Sequence, residues 1–339
     1  MKLGKVSGRP LLRRTVLSAG LLSALALGMT ATTASAQEYK IRLGHPLTTS
    51  DAAHKAMVYL ADNIKKATNG RVEVTVYPAD QLGKQKDLGE MVRQGANVIQ
   101  LTDALFLGDV EPDAAILQAP YLMDNPEDFR KILGSDWLND LDKRLQAKGI
   151  RVISWNNYFG TRQILANRPI HKPADLKGLN FRAAAAPMYV EMVKAFGARP
   201  ITTGFAEVYT GLSQKVIDLL EAPLPTMYAS KFYEQAKYVT LTSHMIGWDP
   251  VIMSETYFKS LPPDIQKIIL DEANKAADYM SKLKKEEETQ MIELYKKAGV
   301  TVITDVDRQA FKDATKVVYD NYPGWTPGLP DKVRALLDR

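Results

Sequence analysis

Cysteine is absent from the 339-residue sequence, and histidine occurs only four times. A chain without cysteine forms neither disulfides nor thiolate metal sites, and it can fold in an oxidising compartment without mispairing. The sequence also lacks a Gly-x-Ser-x-Gly motif, a phosphate-binding loop and a metal motif such as His-Glu-x-x-His. These absences argue against an enzyme and against a metal or nucleotide cofactor. The histidines are His45, His54, His171 and His244.

Acidic residues are missing from the first 36 positions. Five basic residues precede an apolar run at 16–29, and the small residues Ala34-Ser35-Ala36 follow it. This order is typical of a secretory signal peptide, and the run is shorter than the roughly 20 residues needed to span a membrane. We expect cleavage after Ala36 and release into the periplasm. The pair Arg13-Arg14 leaves both the Sec and the twin-arginine export routes open.

A basic surface is also absent once this segment is removed. The whole chain has 44 basic and 39 acidic residues, and the five basic residues of positions 1–36 leave with the signal, so that 39 of each sign remain. A neutral chain without basic runs has no electrostatic basis for binding nucleic acid or anionic lipid. The remaining 303 residues exceed the size at which one core usually stops growing. Two domains are therefore expected.

Strand and helix patterns alternate in the first part of the mature chain. Residues 39–44 predict a strand, and an apolar stripe over 53–67 predicts a helix capped by Ser50 or Asp51. Alternating valines at 71–77 predict a second strand, which completes a β-α-β unit with parallel strands. A further helix and two strands are predicted at 84–94, 98–102 and 152–155. This pattern indicates an α/β lobe.

A second α/β set begins after Gly160. Its predicted elements are strands at 180–182, 216–220 and 238–242 and a helix from Pro187 to about 196. A helical pattern then opens at Pro262-Pro263 and continues without glycine or proline to Gly299, a length on the order of 50 Å. Its middle, 282–288, is almost wholly charged. A helix solvated at its centre and apolar at both ends could brace two lobes, whereas a surface helix with a polar stretch has the same pattern.

Seven short strings resemble the solute-binding proteins of TRAP transporters, the DctP type, in order and spacing. They are GRVEV at 70–74, YPA at 77–79, QLG at 81–83, GTRQ at 160–163, PADLKGL at 173–179, EVY at 207–209 and KFYE at 231–234. The resemblance implies a two-lobed periplasmic binding protein fold of the α/β class, with hinge strands and a long helix bracing both lobes. On that template the first lobe holds 37–159 plus 248–286, and the second lobe holds 160–247 plus 287–339.

The family resemblance also implies a function. A monomeric periplasmic protein would capture a small carboxylate between its lobes and deliver it to a membrane permease, without a cofactor. Two alternatives remain: the protein could feed a membrane sensor with the same binding chemistry, or it could be a periplasmic hydrolase or lyase. Loss of uptake on deletion would separate transport from sensing, and turnover of an acid would indicate an enzyme.

Two arginines match family positions near the ligand carboxylate. Arg182 stands in the string LNFR, where the family places an arginine whose planar guanidinium pairs bidentately with a carboxylate. The alternative is a solvated charge or a structural ion pair. Arg162, in GTRQ, matches a second family arginine, and for this residue ligand binding and a salt bridge between the lobes are both open.

The other candidate site residues carry weaker signals. Asp103 is positioned, by its spacing from Gly95, where related sugar-acid binders have an acidic group, although it could simply cap a helix. A free carboxylate there would favour a hydroxylated or amino-bearing monocarboxylate over a dicarboxylate. Phe205 matches a family aromatic that packs on the ligand, and a core phenylalanine is the alternative. Tyr158 and Trp248 flank the predicted lobe crossings and could form an aromatic wall or be packed in the core.

One position departs from the family pattern. Many relatives have an asparagine that bonds the ligand where this chain has Ala222, in the string DLLEAP at 218–223. Because alanine cannot donate that hydrogen bond, a less polar pocket is expected, and the ligand of other family members does not transfer directly to this chain.

Overall fold

The computed structural model describes residues 38–338. The predicted signal peptide and its cleavage after Ala36 lie outside these residues. Within the described range, no helix combines the length and the apolar character that a membrane crossing requires.

The described strands form two separate sheets. They are β1 (Tyr39–Gly44), β2 (Val72–Tyr77), β3 (Val98–Leu101), β4 (Ile150–Ser154), β5 (Tyr158–Ala166), β6 (Asn180–Ala183), β7 (Arg199–Thr202), β8 (Leu219–Pro223), β9 (Tyr238–Trp248), β10 (Val251–Ser254) and β11 (Thr301–Ile303).

Helices cover both sheets. They are α1 (Ala52–Ala67), α2 (Gln85–Arg93), α3 (Ala104–Leu107), α4 (Phe129–Ile132), α5 (Asp136–Ala147), α6 (Pro187–Ala195), α7 (Val208–Ser213), α8 (Leu224–Ala229), α9 (Glu255–Ser260), α10 (Pro263–Lys297), α11 (Arg308–Ala314), α12 (Lys316–Asn321) and α13 (Leu329–Leu337).

The first sheet has the order β2-β1-β3-β10-β4. β1 is parallel to β2 and β3, so the predicted β-α-β unit is confirmed, and β10 is antiparallel to both of its neighbours. α1 packs on β2 through the predicted apolar stripe, and its N-terminus is capped by the Asp51 side chain, which accepts a hydrogen bond from Ala53 N. Ala67, at the end of the stripe, is exposed. The stripe ends one turn earlier than the sequence pattern indicated.

The second sheet has the order β11-β9-β5-β8-β6-β7. β6 is parallel to β7 and β8, while the long strands β5 and β9 pair antiparallel with each other. The strand predicted at 216–220 has the wrong limits. β8 begins at Leu219 and continues to Pro223. Val216 remains half exposed, whereas Glu221 is buried. Pairing with β5 determines which residues belong to this strand.

Two adjacent chain crossings connect the sheets. The chain leaves the first sheet between β4 and β5 and returns between β9 and β10. Tyr158 and Trp248 are direct partners at the start of β5 and the end of β9. Asp249 N donates to Asn157 O at 2.9 Å, which joins the two connecting segments. The fold is therefore two-lobed and α/β, with a pair of crossing segments between the lobes.

The long helix α10 contacts both lobes. It packs on α1 beside the first sheet and on α8 and β5 beside the second. The expectation that its charged middle is solvated is wrong at Lys284, whose side chain is 0% exposed. Its Nζ lies 2.7 Å from Asp51 Oδ1 and 2.8 Å from Thr226 Oγ1. The helix is thus anchored at its centre by a buried ion pair.

The C-terminal helices contact residues from both parts of the predicted lobe division. α12 packs on α6, and α13 packs on α4. Between them, Thr326 N donates to Asp113 Oδ1 at 2.8 Å. The assignment of 287–339 to the second lobe stays a prediction, and these contacts show that the segment also covers residues near 112–133.

Candidate functional site

Arg182 is a buried guanidinium on β6. Its side chain lies over the ring of Phe205, with 5.5 Å from Cζ to the ring centroid, and it is 4% exposed. Nε and Nη2 donate to the backbone oxygen of Thr203 at 3.3 and 3.1 Å. No carboxylate of residues 38–338 lies within 4 Å of it. Burial lowers the pKa of Arg182, because desolvation disfavours the charged form.

Arg162 is buried at the same cavity as Arg182, but it already has an ionic partner. It lies on β5, and Nε and Nη2 donate to the two carboxylate oxygens of Glu221 on β8, the second bond at 2.8 Å. Burial opposes ionisation of Glu221, but the charge and hydrogen bonds of Arg162 outweigh it and hold the pKa of Glu221 below its usual value. Since β5 and β8 are neighbours, this ion pair joins two strands of one sheet, whereas the contact of Arg162 Nη1 with Asp103 Oδ2 at 3.9 Å reaches from the second sheet to the end of β3 in the first.

His244 also contacts the carboxylate of Glu221. Its Nε2 lies 3.2 Å from Glu221 Oε2, and its Nδ1 lies 2.7 Å from Thr242 Oγ1. Burial lowers the pKa of His244. A neutral ring with its proton on Nε2 donates to Glu221 and accepts from Thr242, so both nitrogens are satisfied.

Asp103 caps a helix, which was one of the two roles considered for it, and it also lines the candidate cavity, while its contact with a ligand stays a prediction. Its Oδ1 accepts a hydrogen bond from Leu105 N at 2.9 Å and caps α3, and its Oδ2 accepts a hydrogen bond from the hydroxyl of Tyr189 on α6. Arg162 Nη1 lies 3.9 Å from the same Oδ2. Burial raises the pKa of Asp103. The Tyr189 bond connects α3, near the first sheet, with α6, near the second.

Five of the seven predicted site residues line one cavity of 40 Å³. They are Asp103, Arg162, Arg182, Phe205 and Ala222, and the cavity wall also includes Tyr189 and Asp249. A second cavity of 250 Å³ shares Arg182 and Phe205 with the first. Arg182 therefore stands between the two spaces. Ala222 contributes no polar side-chain atom to the wall, as its identity implies.

Tyr158 and Trp248 lie outside both cavities. Trp248 stacks on Phe129 with ring centroids 4.5 Å apart. The Tyr158 hydroxyl donates to Glu288 Oε2 of α10 at 2.8 Å. These aromatic residues pack the crossing and fasten it to the long helix.

The sequence analysis missed Tyr189, Glu221, His244 and Asp249. Glu221 was part of a recognised string, but nothing in the string indicated its pairing with Arg162. Tyr189 follows Pro187 on an ordinary helical stripe, and Asp249 precedes Pro250 in a short connection. Their positions at the site depend on contacts between distant elements. Across residues 38–338, no group of three or more histidine, aspartate or glutamate side chains is arranged to hold a metal ion.

Two lobes that enclose a buried arginine define the class of two-lobed solute-binding proteins. Residues 43–323 match the family model "Bacterial extracellular solute-binding protein, family 7", DctP. The chain belongs to this family, and the resemblance to TRAP solute-binding proteins is confirmed.

Named relatives and solved structures agree with the family match. The 2,3-diketo-L-gulonate-binding periplasmic protein of Escherichia coli K12 is 33% identical over 90% of this chain and 93% of its own length. A TRAP periplasmic solute-binding protein from Ochrobacterium anthropi, solved with bound L-fuconate, is 35% identical, with a TM-score of 0.85 over 88% of this chain and 99% of that one. Another, from Actinobacillus succinogenes 130z with bound L-galactonate, is 34% identical, with the same TM-score and coverage.

Proposed function

We propose that the protein captures a sugar acid between its lobes, with the ligand carboxylate bound to Arg182, and delivers it to a TRAP membrane permease. The observation that carries this proposal is the buried Arg182 guanidinium, which has no carboxylate within 4 Å among residues 38–338. A buried charge is costly unless it is paired and hydrogen-bonded. A ligand carboxylate would supply the missing partner.

The surroundings of Arg182 support a single anionic group on the ligand. Arg162 is neutralised by Glu221, so Arg182 is the cation available to an anion at this cavity. Asp103 lines the same cavity, and a free carboxylate there would repel a second anion. Related proteins with bound L-fuconate or L-galactonate hold ligands of this type, hydroxylated monocarboxylates.

Capture is proposed to proceed by closure of the two lobes. Arg182 belongs to the second sheet and Asp103 follows β3 of the first, so a ligand that contacts both stabilises their approach. The crossing segments and α10 form the hinge. A ligand shifts the equilibrium only to the extent that it binds the closed form more tightly than the open one.

Export and delivery complete the proposed function. Residues 1–36 would direct the chain to the periplasm and be removed after Ala36, and the loaded protein would act there as a monomer that docks on the permease. A role in feeding a membrane sensor would use the same binding site, and no feature of residues 38–338 favours it. Binding without turnover is the activity proposed.

Substitution of Arg182 tests the proposal. We expect Arg182→Ala to weaken binding of L-galactonate or L-fuconate more than tenfold in calorimetry, because loss of a buried charge-assisted pair costs about 2–5 kcal/mol. Arg182→Lys keeps the charge but loses the planar fork, and it should give an intermediate loss.

Arg199→Ala is the matched control, since Arg199 is an exposed arginine on the neighbouring strand β7. It should bind both acids like the wild type, and circular dichroism should show that all variants are folded. Unchanged affinity in Arg182→Ala would remove this residue from the site and contradict the proposal.

A further inference from the structure

Asp249 occupies a fixed position at the hinge. It follows β9 directly, and its backbone N donates to Asn157 O in the other crossing segment at 2.9 Å. Gln118 Nε2 donates to Trp248 O at 2.7 Å and to Asp249 Oδ1 at 3.3 Å. These bonds hold the carboxyl group in one orientation, against the wall of the cavity that Arg182 also lines.

The carboxyl group of Asp249 lacks an ionic partner. The residue is 7% exposed, and no lysine, arginine or histidine nitrogen in the described part of the chain lies within 4 Å of its carboxylate. Its Oδ2 has no hydrogen-bond partner among residues 38–338. Burial, with the added effect of Asp103, raises the pKa of Asp249 well above its usual value. A neutral carboxyl group can both donate and accept a hydrogen bond.

Asp103 is less available for ligand contacts than the sequence suggested. Both of its oxygens are engaged, Oδ1 by Leu105 N and Oδ2 by the Tyr189 hydroxyl. Asp249 Oδ2 is the carboxyl oxygen at this cavity that has no partner among the described residues. Of the two acidic side chains at this cavity, Asp249 is therefore the one with a carboxyl oxygen available to a ligand hydroxyl.

We propose that Asp249 determines the preference of the site for hydroxylated acids by hydrogen bonding to a ligand hydroxyl group, while Arg182 binds the carboxylate. This inference rests on the proposed function and adds the residue that selects among acids. A carboxylate without hydroxyl groups satisfies Arg182 but leaves Asp249 without a partner. Sites built to bond a hydroxyl group discriminate strongly against ligands that lack it, because their buried polar group is then left unpaired.

The test compares two variants of similar side-chain size. Asp249→Asn keeps a donor and an acceptor, whereas Asp249→Leu keeps neither. Calorimetry on the purified full-length mature chain would use L-galactonate and hexanoate, which have the same number of carbon atoms but differ in their hydroxyl groups. We expect Asp249→Asn to bind L-galactonate within about threefold of the wild type and Asp249→Leu to bind it at least about tenfold more weakly. Hexanoate affinity should be no weaker in Asp249→Leu than in the wild type.

Asp142→Asn is the control for loss of a partly buried carboxyl group. Asp142 accepts a hydrogen bond from Trp155 Nε1 at 2.9 Å and lies outside the cavity, so its variant should keep the wild-type ratio of the two affinities. If Asp249→Leu weakens both ligands equally, or neither, the inference about Asp249 is overturned while the proposed function stands. If the wild type binds no sugar acid, the proposed ligand class fails, and the Asp249 inference fails with it.

Discussion

At the residue scale, the two arginines of the cavity differ in how their charge is balanced, because their neighbours differ. Arg162 is held by both oxygens of Glu221, which in turn accepts a hydrogen bond from His244. Arg182 is held by one backbone oxygen. The first arginine is therefore a fixed part of the wall, and the second is the group whose charge a ligand can balance.

His45 is a buried histidine next to the cavity wall. Its Nδ1 accepts a hydrogen bond from Leu47 N at 3.2 Å, so the neutral ring carries its proton on Nε2, which donates to His54 Nδ1 at 3.1 Å. Burial, together with the nearby His54, lowers the pKa of His45 to about 4, against an opposing effect of Asp51. Protonation would place a second donor opposite Leu47 N and break that bond.

The stability of the protein should depend on this histidine in acid. Because its pKa in the folded state lies below the unfolded value of about 6.5, its contribution is complete above pH 6.5 and is lost as the pH falls toward 4. Between pH 7 and pH 4 we expect the free energy of unfolding to fall by about 3 kcal/mol more in the wild type than in His45→Gln. Urea unfolding at each pH measures the difference.

His171→Gln is the control for the acid dependence. The side chain of His171 is 44% exposed, and removing it should leave the wild-type pH dependence unchanged. If the free energy of unfolding changes equally with pH in the wild type and in His45→Gln, His45 does not contribute to the loss of stability in acid.

The family resemblance predicted part of the site. Arg182, Arg162 and Phe205 stand in or beside recognised strings, and all three line the cavity, although their contact with a ligand stays a prediction. Asp249 and Tyr189 could not be found in this way. Their importance arises from which distant groups surround them, and a single sequence does not contain that information.

At the element scale, α10 links the lobes through buried polar contacts. Lys284 contacts Asp51 at the start of α1 and Thr226 on α8. One turn later, Glu288 Oε1 accepts a hydrogen bond from Thr161 N of β5 at 2.8 Å. A charged stretch on a long helix usually indicates a solvated face, but within this one Lys284 is buried and Glu288 is half-buried at the junction of three elements.

Lys284→Ala should strongly destabilise the fold. Removing one partner of a buried ion pair leaves Asp51 buried without its cation, at a cost of about 3–5 kcal/mol in the free energy of unfolding. Lys285→Ala is the matched control on the same helix, because the side chain of Lys285 is 40% exposed and its pair with Glu127 should contribute about 0–1 kcal/mol. Urea unfolding measures the free energy of unfolding of both variants. A similar decrease in Lys284→Ala and Lys285→Ala would contradict the anchoring role of Lys284.

Strand positions in the second sheet were harder to predict than helices. α10 and α6 begin at prolines that the sequence analysis identified, and their ends agree to within one or two residues. β9 instead extends to Trp248, six residues beyond the predicted end at 242, because it pairs along most of β5. Helix signals are local, whereas strand limits depend on partners far away in the sequence.

At the scale of the whole molecule, the two-lobed fold was predicted from the family resemblance, since composition and strand patterns gave only an α/β class with two domains. The proposed delivery to a permease requires both lobes around one ligand. Deleting the gene in the source bacterium should therefore abolish uptake of the acid that the purified protein binds. Wild-type protein and Arg199→Ala should restore uptake, and Arg182→Ala should not. Unchanged uptake after deletion would favour the sensor alternative.

A weak, exposed ion pair lies beside the second cavity, which Lys84 lines. Lys84, before α2, and Glu207, before α7, approach to 2.7 Å, with side chains 57% and 51% exposed. Such a pair contributes about 0–1 kcal/mol, which changes the ratio of shut to open molecules by a factor of about five at most. This surface pair therefore adds little to closure of an empty protein, whereas the buried bond between Tyr189 and Asp103 is a contact across the two lobes that water does not screen.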